Sequence, residues 1–158
     1  MSGHGAPVIS LNAPDANVAI VASSWHTEVM DGLIAGAQAA LADAGVTKVT
    51  LLRAPGSFEL PVISQACANN GFDVVIALGV IIRGGTPHFE YVSAAATDGL
   101  TRVALDTGMP IGFGLLTCDN DEQALDRAGL EHSKEDKGRE ATEAALSAWL
   151  TIREIALG

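Results

Sequence analysis

The stretch Val74-Val75-Ile76-Ala77-Leu78-Gly79-Val80-Ile81-Ile82 runs without a break into Arg83-Gly84-Gly85-Thr86-Pro87-His88. An apolar run rich in valine and isoleucine reads as a strand buried on both faces, which belongs at the centre of a parallel sheet. The glycines and the proline end that strand. A helix follows from near His88, with Val92, Ala96, Leu100 and Val103 on one face. Strand, turn and helix in this order are the repeating unit of an α/β protein.

The same alternation extends outward from this segment. Val18 to Ala22 reads as a strand, and Thr27 to Ala44 as a helix stopped by Gly45. Lys48 to Arg53 is a second strand. Ala54-Pro55-Gly56-Ser57 is a loop in which Ser57 is placed to cap the next helix. Pro61 falls in that helix's first turn, where a missing N–H is tolerated, and Gly71 ends it beyond Asn70. On the other side, Ile111 to Thr117 is a fourth strand, Asp121 to Ala128 a short helix and Lys137 to Ala156 a long one. Residues 18–158 are therefore expected to form one α/β domain, a four-stranded parallel sheet between helical layers. Residues 1–17, rich in Gly, Pro, Asn and Ala, read as a flexible arm in which Val8-Ile9-Ser10-Leu11 can add a strand to a sheet edge.

In such sheets ligands bind beyond the carboxyl ends of the strands, so the informative residues are those just after Ala22, Arg53, Ile82 and Thr117. Gly84 and Gly85 let the backbone approach a ligand, Thr86 adds a hydroxyl, and a helix N-terminus favours an anion. His88 carries an imidazole, a side chain suited to moving protons. A phosphate beside a proton-transfer group is one reading; a plain turn with a surface histidine is the simpler one for so short a motif. Trp25 can stack on a flat heterocycle or serve as an ordinary packing aromatic. Glu59 can accept hydrogen bonds from a polyol or merely favour a helix dipole. Phe113 reads by default as core, Arg127 as a solvated surface residue and Trp149 as packing.

Composition narrows the classes. The chain has 158 residues, 48% hydrophobic and 18% charged, with a formal net charge of −10. So few charges leave apolar surface for a second subunit to cover. The acidic balance argues against nucleic acid and anionic lipid as partners. His4, His26, His88 and His132 are widely spaced, and no Cys-x-x-Cys or His-x-x-x-His occurs, so no metal site is expected. Cys67 and Cys118 read as free buried thiols. No signal peptide or apolar run of membrane length is evident, and a cytoplasmic location is the simplest expectation.

Five blocks, in order, carry a further signal: Ala19 to Ala22 with Ser24-Trp25; Pro55-Gly56-Ser57-Phe58-Glu59-Leu60-Pro61; Ala77 through Phe89; Gln123-Ala124-Leu125-Asp126-Arg127-Ala128-Gly129; and Asp136-Lys137-Gly138. Together they resemble the lumazine synthases of riboflavin biosynthesis over nearly the whole chain after the arm. The resemblance implies a three-layer α/β/α sandwich of flavodoxin-like topology. It implies condensation of 5-amino-6-ribitylaminouracil with 3,4-dihydroxy-2-butanone 4-phosphate, releasing inorganic phosphate and water, with no cofactor. By position, Trp25 matches the family's stacking aromatic, which is often Phe. Ser57, Phe58 and Glu59 match the segment holding the ribityl chain. Val80, Ile81 and Ile82 match the backbone beside the pyrimidine. Gly84, Gly85 and Thr86 match the phosphate loop, and His88 the proton-transfer residue. Phe113, Arg127 and Lys137 match residues supplied by a neighbouring subunit, Lys137 across a loop that varies in length.

The family builds pentamers, some of which assemble into sixty-subunit shells. The stretch from Gly129 to Gly138 is longer than the short turn of shell formers, so a homopentamer is expected. A flavin or lumazine carrier lacking catalysis would need neither His88 nor Arg127. A flavodoxin-like electron carrier would need a Thr/Ser-rich cradle where Ser23-Ser24-Trp25-His26 stands. A purely structural shell protein is compatible with catalysis.

Overall fold

The structure is a computed structural model that describes residues 5–8 and 10–158. Four strands, β1 (Asn17–Ser23), β2 (Lys48–Ala54), β3 (Val74–Ile82) and β4 (Ile111–Cys118), form one parallel sheet in the order β2-β1-β3-β4. Five α-helices accompany them: α1 (Thr27–Asp43), α2 (Leu60–Ala68), α3 (His88–Thr107), α4 (Asp121–Leu125) and α5 (Lys137–Leu157). This is the expected flavodoxin-like sandwich. The two inner strands explain their own sequences: Val18–Ser23 and Val74–Val80 are buried throughout, because helices cover both faces.

Alternation of side chains along the strands splits the core in two. Val18, Ile20, Ile76 and Leu78 meet α1 and α5 on one face, through Met30, Leu33, Leu41, Leu146 and Trp149. Ala19, Val21, Val75 and Ala77 meet α2 and α3 on the other, through Leu60, Ala96 and Leu100. The helix ends follow the expected chemistry. Gly45 and Gly71 take φ of +76° and +87° just past α1 and α2, conformations that suit glycine. Pro61 lies in the first turn of α2.

Three expectations are corrected. Ser57 does not cap a helix: it opens a 3-10 turn, Ser57–Glu59, after an extended Gly56, and is buried against β3. A Cβ at Gly79 would stand 2.7 Å from the Ser57 hydroxyl, so glycine there admits the turn. Helix α4 is shorter than Asp121 to Ala128, because the amides of Lys134 and Glu135 donate to the Asp126 carbonyl and turn the chain. Arg127 therefore lies in the turn after α4, not on it. Residues Val8, Ser10 and Leu11 are not in a strand, and Ile9 lies outside the described residues. The chain is packed on the body by Ala13, which is buried and whose amide donates to the Ala44 carbonyl at 2.8 Å.

Candidate active site

The chain leaves β1 to one side and β3 to the other, so the strand order reverses between them. This is where a crevice opens beyond the carboxyl ends of a doubly wound sheet. The segments after β1, β2 and β3 gather around this point.

Beyond β1 the chain turns sharply at His26, which adopts φ 58°, ψ 69°. A non-glycine residue in the left-handed region is held there by its surroundings, and here the His26 imidazole reaches within 3.9 Å of Asp121 at the start of α4. The adjoining loops are tied together. The Ser24 hydroxyl donates to the Ala54 carbonyl and the Arg53 guanidinium to the Ser23 carbonyl, both at 2.8 Å. Trp25 consequently lies beside the loop after β2. A Cβ placed on Gly56 would meet the Trp25 indole at 3.4 Å and the Glu59 carboxylate at 3.3 Å. A flat ring and a carboxylate thus flank one glycine. Trp25 is 66% exposed and Phe58 62% exposed, although burial of either ring would be favourable.

At the carboxyl end of β3, Val80 is buried, and Ile81 and Ile82 are half-buried as the strand emerges. Gly84, Gly85, Thr86, Pro87 and His88 are all exposed, and a Cβ on either glycine would meet nothing within 4 Å. His88 is the first residue of α3, with Pro87 as its cap. The first helix-type bond here runs from the Glu90 amide to the Pro87 carbonyl, which leaves the amides before it at the positively polarised end of a long helix.

The loop's flanks are held by Arg83. Its Nε donates to the Asp119 carboxylate at 2.9 Å, its Nη1 to the Glu90 carboxylate, and its guanidinium lies 4.3 Å from the centre of the Phe89 ring. The Asp119 hydrogen bond, and then that of Glu90, push the guanidinium's pKa above its ordinary value. The Arg83 hydrogen bond in turn holds the Glu90 carboxyl below the ordinary glutamate range. Neither Arg83 nor Asp119 stood out in the sequence, because partners seven and thirty-six residues away leave no periodic signature.

The remaining candidates stand apart from this group. Phe113 lies on the edge strand β4, 51% exposed and not in the core as its default reading had it. Arg127 donates to the Gln123 carbonyl at 2.8 Å. Arg127 and Lys137 converge on one carboxylate, Glu135, at 3.7 and 3.5 Å. Lys137 also pairs with Glu140 at 2.7 Å. Burial pushes the Cys118 thiol up, and the Arg127 charge opposes that rise, so Arg127 lies near the end of β4. Cys67 and Cys118 are both free and buried. Among the described residues no group of three or more His, Cys, Asp or Glu is placed to hold a metal ion, and no helix is long and apolar enough to cross a membrane. A shallow depression of about 160 Å³, lined by Ser10, Leu11, Asp43 and Arg139 among others, contains none of the candidate residues. Its polar lining is explained by the ion pairs of Arg139 with Asp43 and Glu143, so the exposed carboxyl edge is the better candidate on chemical grounds.

Comparison with known proteins identifies the family of the chain. The family model described as 6,7-dimethyl-8-ribityllumazine synthase matches residues 15–153. A 6,7-dimethyl-8-ribityllumazine synthase of Nocardioides sp. (strain ATCC BAA-499 / JS614) is 64% identical, over 98% of this chain and 97% of its own. Proteins of the same name from Kocuria rhizophila and Streptomyces coelicolor are 61% and 56% identical, over 96% and 98% of this chain and 99% and 97% of theirs. With the family model matching residues 15–153 and these relatives 56–64% identical over nearly the full length, the chain belongs to the 6,7-dimethyl-8-ribityllumazine synthase family.

Proposed function

We propose that the chain condenses 5-amino-6-(D-ribitylamino)uracil with 3,4-dihydroxy-2-butanone 4-phosphate to form 6,7-dimethyl-8-ribityllumazine, inorganic phosphate and water, the penultimate step of riboflavin biosynthesis. The observation that supports it best is that an exposed indole and a carboxylate flank Gly56 beyond β1 and β2, while a Gly-rich loop that ends in a histidine follows β3, all at the carboxyl ends of strands about the switch point. The substrates present a flat ring, a polyol and a phosphate, and each has a counterpart there. Trp25 stacks on the pyrimidine, whose edge is read by the backbone of Val80, Ile81 and Ile82. Ser57, Phe58 and Glu59 hold the ribityl chain. Gly84, Gly85 and Thr86, at the start of α3, bind the phosphate.

Attack of the 5-amino group on the ketone yields a carbinolamine, which loses water to an imine. Elimination of the phosphate, attack of the ribitylamino nitrogen on the remaining carbonyl and loss of a second water close the second ring and complete the sequence. Each step moves a proton, and His88, next to the phosphate loop, is the group that moves it. Neither reactant needs a strong nucleophile from the protein, so most of the acceleration comes from holding both together.

The site is completed by a second subunit. Phe113, Arg127 and Lys137 of a neighbouring copy cover the ring and add cationic charge near the phosphate, in a homopentamer. The exposure of Trp25, Phe58 and Phe113 supports this reading, since rings left open on one chain are available to another. The same reading places the protein in the cytoplasm, where two unpaired thiols are stable. Mixing the two substrates with the protein and following lumazine fluorescence tests the reaction directly. Product is expected at a rate above that of the uncatalysed mixture, and its absence overturns the proposal.

A further inference from the structure

We propose that Arg83 is a positioning residue for the phosphate loop, fixing residues Gly84 to Pro87 by fastening both their flanks to the end of β4. The inference rests on the reading of that loop as the phosphate site.

The loop has little to hold it. Its residues are exposed, and both glycines face open space. Side-chain packing therefore cannot define its path, and glycine widens the backbone's choices. Its course is fixed at its ends. The Arg83 amide donates to the Cys118 carbonyl at 2.9 Å, which continues the β3–β4 ladder by one step. The Arg83 side chain then spans the gap between Asp119, just beyond β4, and Glu90, in the first turn of α3. Its guanidinium also lies against Phe89, one residue after His88. A planar fork can make these contacts at once, and an ammonium cannot. The entry of the loop, the first turn of α3 and the end of β4 thus become one rigid unit.

The side chains of Arg83, Glu90 and Asp119 are 45%, 54% and 62% exposed. Ion pairs at such exposure add little to folding stability. Their consequence should appear in the binding geometry of the loop, where a displacement of about 1 Å is costly. Two roles can be separated by sign. If the carboxylates mattered only through their charge, Asp119→Asn would relieve repulsion and tighten phosphate. If they hold Arg83 in place, Asp119→Asn loosens the loop and weakens phosphate.

The test uses the assembled protein and two readouts, steady-state kinetics and calorimetric titration with inorganic phosphate. Arg83→Gln and Arg83→Lys should each raise the KM for the butanone phosphate about tenfold or more. The KM for the uracil should change less than about twofold, and Tm and assembly mass should be unchanged. Asp119→Asn should move phosphate binding in the same weakening direction. Tighter phosphate binding by Asp119→Asn, or an unchanged KM in Arg83→Lys, overturns the proposal. A loss shared by both substrates with a fall in Tm overturns it as well, because that marks a structural role. Should Arg83→Gln fail to fold, Asp119→Asn and Glu90→Gln still decide, since each removes one hold and leaves the cation. Absence of lumazine from the unaltered protein would refute the reaction instead. Phosphate titration then still tests the loop, and an unaltered protein that does not bind phosphate overturns the positioning role too.

Discussion

At the scale of single residues, the proposed chemistry separates proton transfer from binding. His88 is exposed at the head of α3, in reach of whatever the preceding loop holds. His88→Ala should lower kcat by no more than about 10²–10⁴, the range of general acid–base help, and leave slow product formation. Complete inactivity in a variant that folds and binds both substrates would mean that the histidine does more than move protons. Arg127 is different in kind. It already has partners in Gln123 and Glu135 within its own chain, yet it is partly exposed. Arg127→Ala should raise the KM for the butanone phosphate and spare that for the uracil. If sites are shared between subunits, rate measurements on mixed assemblies of Arg127→Ala and His88→Ala chains should recover activity, because some sites would then combine an intact Arg127 with an intact His88. Mixed assemblies as inactive as the parents would show that each site is built from one chain. Sequence reading singled out His88 by its position after a strand, a regularity that physics imposes on all such sheets, whereas the role of Arg127 came from the family resemblance alone. It could not reveal Arg83, whose role depends on partners brought together only by the β3–β4 pairing.

At the scale of elements, the inner strands were legible because burial on both faces demands unbroken apolar runs. The bounds of β3 match the expected Val74 to Ile82, and those of β1 exceed Val18 to Ala22 by one residue at each end. Legibility failed where a local choice was settled by distant partners. Ser57 is a good cap by type, but the space over Gly79 draws it into a buried turn. The turn after α4 is fixed by amides eight and nine residues on from Asp126, with an isolated bridge between Ala128 and Asp136. Helix α5 carries a similar constraint. Gly138 is buried in its first turn, and a Cβ there would lie 2.1 Å from the Leu33 carbonyl oxygen of α1. Alanine is the better helix former by about 1 kcal/mol, so propensity alone predicts that Gly138→Ala stabilises. The obstructing atom is backbone and cannot rotate away, so α5 would have to move, and overpacking of this kind costs about 1–3 kcal/mol. The structure therefore predicts a net loss. Urea midpoints of both proteins, compared at equal concentration because assembly contributes to stability, should fall for the variant; a rise would show that the two helices separate easily.

At the scale of the whole molecule, the single chain leaves open apolar surface that a neighbouring copy would cover. Val49 and Leu51 face outward on the edge strand β2, and the final turns of α5 expose Ile152, Ile155 and Leu157. On the same helix Ala141, Ala145 and Leu146 are buried. The apolar remainder at the C-terminal end suits a neighbour. A single heterologous contact repeated around a ring leaves no unmatched edge, and the family resemblance sets the expected number at five. Whether rings then gather into a shell turns on the α4–α5 connection. Its residues are tied down by the Ala128–Asp136 bridge, by the Lys134–Asp126 ion pair and by the Asp136 carboxylate, which accepts from the Arg139 amide. In the expected ring, a longer connection tied down in this way would be a fixed obstacle to ring-to-ring packing. The net charge of −10 per chain adds repulsion that salt would weaken. If geometry is the obstacle, salt should make no difference. Light scattering at low and high salt should therefore give the same mass, about 81 kDa for five chains of 16.2 kDa. Growth toward about one megadalton only in high salt would assign the barrier to charge, and that mass under both conditions would show a shell. A mass near that of one chain would remove the basis for a site shared between subunits.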